Sequence, residues 1–238
     1  MEVLLFIVII LTASVLQTST GFGFSILATP FLLLLFPVSE AIQINLVLSL
    51  IISAALISKI RNDIDFGILK RLIIGSIAGM PIGIAVFVVA DMQKLKLGIS
   101  LVILLLTVLL ILSLRIRRTN GRDFLFGGLS GSLTTSIGMP GPPLLLYFSG
   151  TGTQKEKLRG TTLAFYLFIY SISLLLQIIF TGTHQTVWVS SAAAIPVVLL
   201  GLVLGQRLFH RIDQRTFRYV TYAILLFTGL FLLMDNVG

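Results

Sequence analysis

Apolar residues run along this chain in blocks too long for a strand or for the buried stripe of a soluble helix. No Asp, Glu, Lys or Arg occurs between Glu2 and Glu40, from Ala41 to Ser58, from Leu72 to Ala90, from Leu97 to Leu114, from Phe124 to Gln154, or from Tyr219 to Met234. The longest run, Gly160 to Gln206, holds His184 but no charged residue. About 20 apolar residues at ~1.5 Å rise each carry a helix across the ~30 Å of bilayer hydrocarbon. Each block is therefore one span, or two spans joined by a turn. Gly, Pro and charge punctuation divides them into ten segments: 3–20, 24–37, 41–58, 68–90, 95–114, 123–137, 141–149, 158–180, 187–209 and 216–235. The second, sixth and seventh are short for a crossing and are expected to form half-helices or arms of re-entrant hairpins. The expected class is an all-α polytopic membrane protein.

Composition sharpens this picture. Mean hydropathy is +1.07 and 11% of residues are charged, against about a quarter in soluble domains. The net charge of +8 sits in short clusters between segments, the pattern of cytoplasmic loops rather than of a nucleic-acid surface. If the segments alternate, fifteen of the 17 Lys and Arg fall on one side, in clusters around Lys59–Arg71, Arg115–Arg122, Lys155–Arg159 and Arg207–Arg218. Only Lys94 and Lys96 fall on the other. Both termini are then expected on the non-cytoplasmic side. The N-terminus lacks a basic region and a cleavage signature, so Val3 onward reads as a retained span. There is no cysteine, which removes disulfides, thiol nucleophiles and thiolate metal sites. His184 and His210 offer no metal-ligand spacing. With no paired carboxylates and no Ser–His dyad, enzymatic chemistry is not expected, and neither is a cofactor.

Ten segments divide into two halves of five, 1–119 and 120–238, and the halves resemble each other. Thr18-Ser19-Thr20-Gly21-Phe22-Gly23 leads to Pro30, as Thr134-Thr135-Ser136-Ile137-Gly138 leads to Pro143. Gly79-xxx-Gly83 with Asp91-Met92-Gln93-Lys94 returns, at a constant offset of 122, as Gly201-xxx-Gly205 with Asp213-Gln214-Arg215-Thr216. An odd number of segments per half inverts one copy relative to the other, the inverted-repeat plan of many secondary transporters.

The two Gly/Pro-rich breaks are the candidate site. Irregular backbone at membrane depth survives only where protein or a water-filled cavity satisfies its polar groups. The first break runs through Ser19, Thr20, Gly21, Phe22, Gly23, Phe24 and Ser25. The second runs through Thr134, Thr135, Ser136, Gly138, Met139, Pro140 and Gly141 to Pro143. Pro140, Pro142 and Pro143 carry no amide hydrogen, which lowers the cost of unpaired backbone and suits a first helical turn. A half-helix starting after each break aims its free N–H groups and positive dipole end at it, forming an anion site. Inverted symmetry would turn the two breaks towards each other near the midplane. The expected substrate is a small oxyanion held mainly by neutral donors, including the Ser and Thr hydroxyls. Arg159 is a candidate cation for it, and Gln17, Gln43, Asn45, Tyr147, Thr161, Thr162, Tyr166 and Gln177 are candidate lining groups. Gly75, Gly79, Gly83, Gly201 and Gly205 read instead as close-packing positions. Glu40 and Asp91 sit at segment ends, so no proton-coupling carboxylate is expected inside a span.

At these residues the chain resembles the TauE/SafE family of sulfite exporters, also called the TSUP family of anion transporters. The resemblance rests on Thr20-Gly21-Phe22-Gly23-Phe24 with Pro30, and on Gly127-Gly128-Leu129-Ser130-Gly131 with Gly138-Met139-Pro140-Gly141-Pro142-Pro143 and the run Leu144-Leu145-Leu146-Tyr147. It covers essentially the whole chain. It implies a transporter of the plasma (bacterial inner) membrane that exports sulfite, sulfonates or related organic anions. An anion channel of the same architecture is the alternative. The implied partners are a small anionic substrate and the lipid bilayer, with no nucleic acid. The chain is compatible with a homo-oligomer.

Overall fold

The first break falls where the sequence places it. In the computed structural model, which describes residues 2–89 and 115–211 together with isolated positions of 97–112 and 213–234, helix α1 runs Glu2–Thr20 and stops at Gly21, whose φ is +84°. Helix α2 is short, Phe24–Leu32. The 24–37 segment leaves α-helical geometry after Leu32, where 3-10-type bonds from Leu34 N to Phe31 O (3.2 Å) and Leu35 N to Leu32 O (3.0 Å) tighten the chain before the extended Pro37 (φ −54°, ψ 152°). Helix α3 follows, Val38–Ile60, with a 3-10 turn at Arg61–Asp63. Helix α4 is Phe66–Val89, and Asp65 accepts from the Ile68 amide at 3.0 Å across its first turn. That contact, with the Arg118 guanidinium at 2.8 Å, outweighs partial burial and holds the Asp65 carboxyl below its ordinary range.

Among the described residues, four more helices follow in the second half of the chain. Helix α5 is Asn120–Ile137, α6 is Gly141–Gly150, α7 is Lys155–Thr181 and α8 is Gln185–Arg211. α5 ends on Gly138 at φ +71°, whose amide returns to Thr134 O at 2.8 Å while Met139 N reaches Leu133 O at 3.2 Å, a Schellman-type closure that only glycine accepts cheaply. The segments expected at 95–114 and 216–235 lie largely outside the described residues.

Five of these helices, α1, α3, α4, α7 and α8, are long and apolar enough to cross a membrane. Their outward faces carry large apolar side chains, among them Leu4 and Val8 on α1, Ile77 and Ile82 on α4, and Val189, Leu200 and Val203 on α8. Water would penalise such faces and lipid does not.

Glycine sets the closest helix crossings. α4 packs on α5 with Gly75 against Phe124, Gly79 against Gly128 and Gly83 against Ser132 and Thr135. α8 packs on α1 with Gly201 against Ser14 and Gly205 against Val15 and Thr18. A Cβ at any of these would collide with backbone or a Cβ, so their packing reading holds. α3 and α7 pack against each other at the centre, α4 also contacts α7, α8 contacts α3, and α2 touches α6.

Candidate functional site

The two breaks converge through their half-helices. A Cβ built on Gly141, the first residue of α6, would stand 3.3 Å from Ile26 in the first turn of α2 and 2.9 Å from the Tyr166 hydroxyl. Tyr170, one turn further along α7, lies with its hydroxyl 3.5 Å from Ser25 Oγ. The two tyrosine rings meet at a tilt of 51° with centroids 4.9 Å apart. Ser25, Tyr166 and Tyr170 are fully buried, as is Asn45 of α3, which donates to Gly138 O at 2.8 Å. The residues between and around the two breaks thus form one polar centre beside the middle of α7.

Backbone donors at this centre are unequal. α2 starts from Gly23 (φ +111°) with no side-chain cap, and its first closing bond is Leu27 N to Gly23 O at 3.0 Å. The N–H groups of Gly23, Phe24, Ser25 and Ile26 all precede that bond. α6 starts from Pro140, again without a side-chain cap, and continues Gly141, Pro142, Pro143. Three of its four leading positions lack an N–H, leaving Gly141.

Most of the expected hydroxyl donors are spent on their own helices. Ser19 and Thr20 both donate to Leu16 O, at 3.1 and 2.7 Å. Thr20 also pairs with the Phe22 carbonyl. Thr134 donates to Ser130 O at 2.5 Å, Thr135 to Gly131 O at 2.9 Å and Ser136 to Ser132 O at 2.8 Å. Such back-bonding shapes a helix end and leaves no proton for a ligand. Phe22, Phe24 and Met139 are buried packing around the breaks, and Gly23 meets Leu16. Arg159 is nearly buried, donates from Nε to Thr18 O at 2.8 Å, and lies 4.3 Å over the Phe209 ring. Its charge therefore serves the carbonyl end of α1. Thr161 accepts from the Asp65 amide at 2.9 Å and is structural.

Sequence reasoning missed two features. Tyr170 was not singled out, although it stands four residues from Tyr166. Nor was Asp123 singled out, which stands at the start of the 123–137 segment and is fully buried in the first turn of α5. Arg71 Nε of α4 holds one of its oxygens at 2.5 Å, and the Tyr147 hydroxyl of α6 holds the other. This clasp joins three helices. Removing Asp123 leaves the part-exposed Arg71 guanidinium and the buried Tyr147 hydroxyl without their partner, so Asp123→Ala is expected to cost about 1–3 kcal/mol of stability, read as a lowered thermal unfolding midpoint in detergent. An unchanged midpoint would mean that the clasp bears no load.

The fold and site define an integral membrane protein with two interrupted helical hairpins around a buried, uncharged polar centre. The chain belongs to the sulfite exporter TauE/SafE family, whose model matches residues 5–232. It is similar to a Cupriavidus necator protein described as "Probable sulfite/organosulfonate exporter TauE", at 25% identity over 230 residues that cover 93% of this chain and 90% of that one. No solved structure matches it. Membership of an exporter family agrees with the membrane-transport role and the small anionic substrate that the sequence implies.

Proposed function

We propose that this protein is a secondary carrier of the inner membrane that exports a small sulfur oxyanion, sulfite or an organosulfonate, by alternating access. The supporting observation is the uncapped start of α2, four consecutive N–H groups deep in the protein beside Ser25, Tyr170 and Tyr166. Backbone amides and hydroxyls bind an oxyanion without a fixed countercharge, so the empty carrier is not left with an unpaired buried cation. The anionic group rests on the start of α2. The proline-rich start of α6 and the tyrosine rings face the rest of the substrate.

Alternating access follows from the second part of the proposal, that residues 1–119 and 120–238 are inverted copies. Among the described residues, exchanging α1 with α5, α2 with α6, α3 with α7 and α4 with α8 carries most helix contacts onto another, although α4–α5 is far more extensive than α8–α1 and α2–α3 has no counterpart of like extent. The same exchange carries Gly83 on Ser132 and Thr135 onto Gly205 on Val15 and Thr18. In a pair of such halves, rocking one against the other exposes the shared centre to each side in turn. The basic clusters face the cytoplasm and the N-terminus the other side.

In proteoliposomes the protein is expected to give saturable flux of labelled ethanesulfonate or sulfite, stimulated by unlabelled substrate on the opposite side. Ohmic conductance without counter-stimulation would make it a channel. Silence across a panel of sulfur oxyanions and carboxylates would overturn the anion assignment.

A further inference from the structure

The polar centre is part of a longer row. On α7, Arg159, Thr162, Tyr166, Tyr170, Ser173 and Gln177 follow one another at intervals of three or four residues and so share one helix face. Arg159 is 8% exposed and the other five are fully buried. Across from them on α3 stand Asn45, Ser49 and Ser53, also buried and also one turn apart. From Arg159 to Gln177 the row rises about 27 Å, nearly the ~30 Å thickness of bilayer hydrocarbon.

Packing does not account for this row. A buried hydroxyl or amide without a partner costs about 1–3 kcal/mol, and polar groups on a helix seam in lipid repay that cost only where they bond across the seam. Serine and threonine can avoid that cost by bonding their own helix. Ser171 does so to Leu167 O at 2.7 Å, and Thr181 to Gln177 O at 2.7 Å. In the row they do not. Among the described residues, Thr162 Oγ1, Tyr166 Oη, Ser173 Oγ and Gln177 Oε1 have no hydrogen-bond partner, nor does Asn45 Oδ1 opposite, whereas Ser53 Oγ bonds Ser49 O of its own helix at 2.9 Å. These groups are held at a cost, in line, from one end of a membrane-crossing helix to the other.

We propose that the seam between α3 and α7 is the translocation path, and that the row on α7 is its wall. The moving ion exchanges contacts between successive rungs about 5 Å apart, with Thr162 the rung on the cytoplasmic side of the tyrosine pair and Ser173 the rung on the far side. The identity of the moving ion rests on the anion reading above. The course of the path does not.

The chain contains no cysteine, so single cysteines can be placed in the full-length protein without further change. T162C and S173C test the row, with S49C as a further position on α3 should either fail to yield folded protein. A164C, buried on another face of α7, and L175C, exposed to lipid, serve as controls. The probes are sulfonatoethyl methanethiosulfonate, which carries an ethylsulfonate group, and its trimethylammonium analogue, each applied to vesicles of known orientation. T162C is expected to react from the cytoplasmic side and S173C from the outer side, each at least ~10-fold faster than the controls. Excess ethanesulfonate is expected to slow both. Row positions no faster than the controls, in protein that still transports, would overturn the path. Row-specific labelling that ethanesulfonate does not slow, and that is equal for the cationic reagent, would keep the path and overturn the anion assignment.

Discussion

Gly21→Val is expected to reduce substrate flux by about two orders of magnitude or more, while the protein still inserts and purifies. Two effects combine at this position. The backbone holds φ at +84°, a left-handed conformation that costs an L-residue with a Cβ about 1–2 kcal/mol. The added Cβ would also stand 2.7 Å from the Cα of Arg159 and 3.1 Å from its Cγ. A side chain can turn aside, but a Cα moves only with its helix. Overpacking of this kind costs about 1–3 kcal/mol. Relief means shifting α7, whose row of Tyr166 and Tyr170 faces the half-helix starts, or reshaping the break that precedes α2. Either change spoils the alignment of donors. The check is the initial rate of labelled ethanesulfonate uptake at matched reconstitution. Gly121→Ala is the control, since a Cβ there meets nothing within 4 Å. A Gly21→Val protein that transports at the wild-type rate would remove the first break from the mechanism.

Much of this was legible in the sequence because glycine and proline announce themselves. Gly21 and Gly138 mark helix ends to the residue, and Phe24 and Gly141 open the next helices as expected. Glycines spaced for close crossing fall at the α4–α5 and α8–α1 contacts. The hydroxyl donors were harder to place. Local spacing puts Thr134, Thr135 and Ser136 beside a break, but a hydroxyl on a helix has its own i−4 carbonyl within reach, and only geometry tells which acceptor it takes. The Asp123 clasp depends on Arg71, 52 residues away, meeting it across the glycine-lined α4–α5 crossing. No local pattern encodes such a meeting. The donor imbalance between the half-helices was readable, since Pro140, Pro142 and Pro143 are plain in the chain. Reading proline only as a cheap way to leave backbone unpaired hid its other consequence, that it also removes the donors a bound oxyanion would use.

That imbalance yields the sharpest test of where the anionic group rests. Superposing Gly21 on Gly138 places Ser25 where the second half has Pro142, so Ser25→Pro gives the first half-helix the chemistry of the second. The second position of a helix accepts proline, as α6 itself demonstrates, and the change deletes one N–H from the start of α2 together with the Ser25 hydroxyl. A hydrogen bond to a charged group is worth about 1.5–3 kcal/mol, so the apparent KM for ethanesulfonate is expected to rise roughly 10- to 150-fold. Ser25→Ala removes the hydroxyl alone, so the further rise in KM from Ser25→Ala to Ser25→Pro measures the amide apart from the side chain. Adding Pro142→Ser to the Ser25→Pro protein restores a donor on the opposite half-helix and is expected to recover part of the affinity, because Gly141 and Ile26 lie side by side and the two starts serve one pocket. If Ser25→Pro folds with an unchanged unfolding midpoint and an unchanged KM, the start of α2 does not hold the anion, and the weight passes to the tyrosine pair and Arg159.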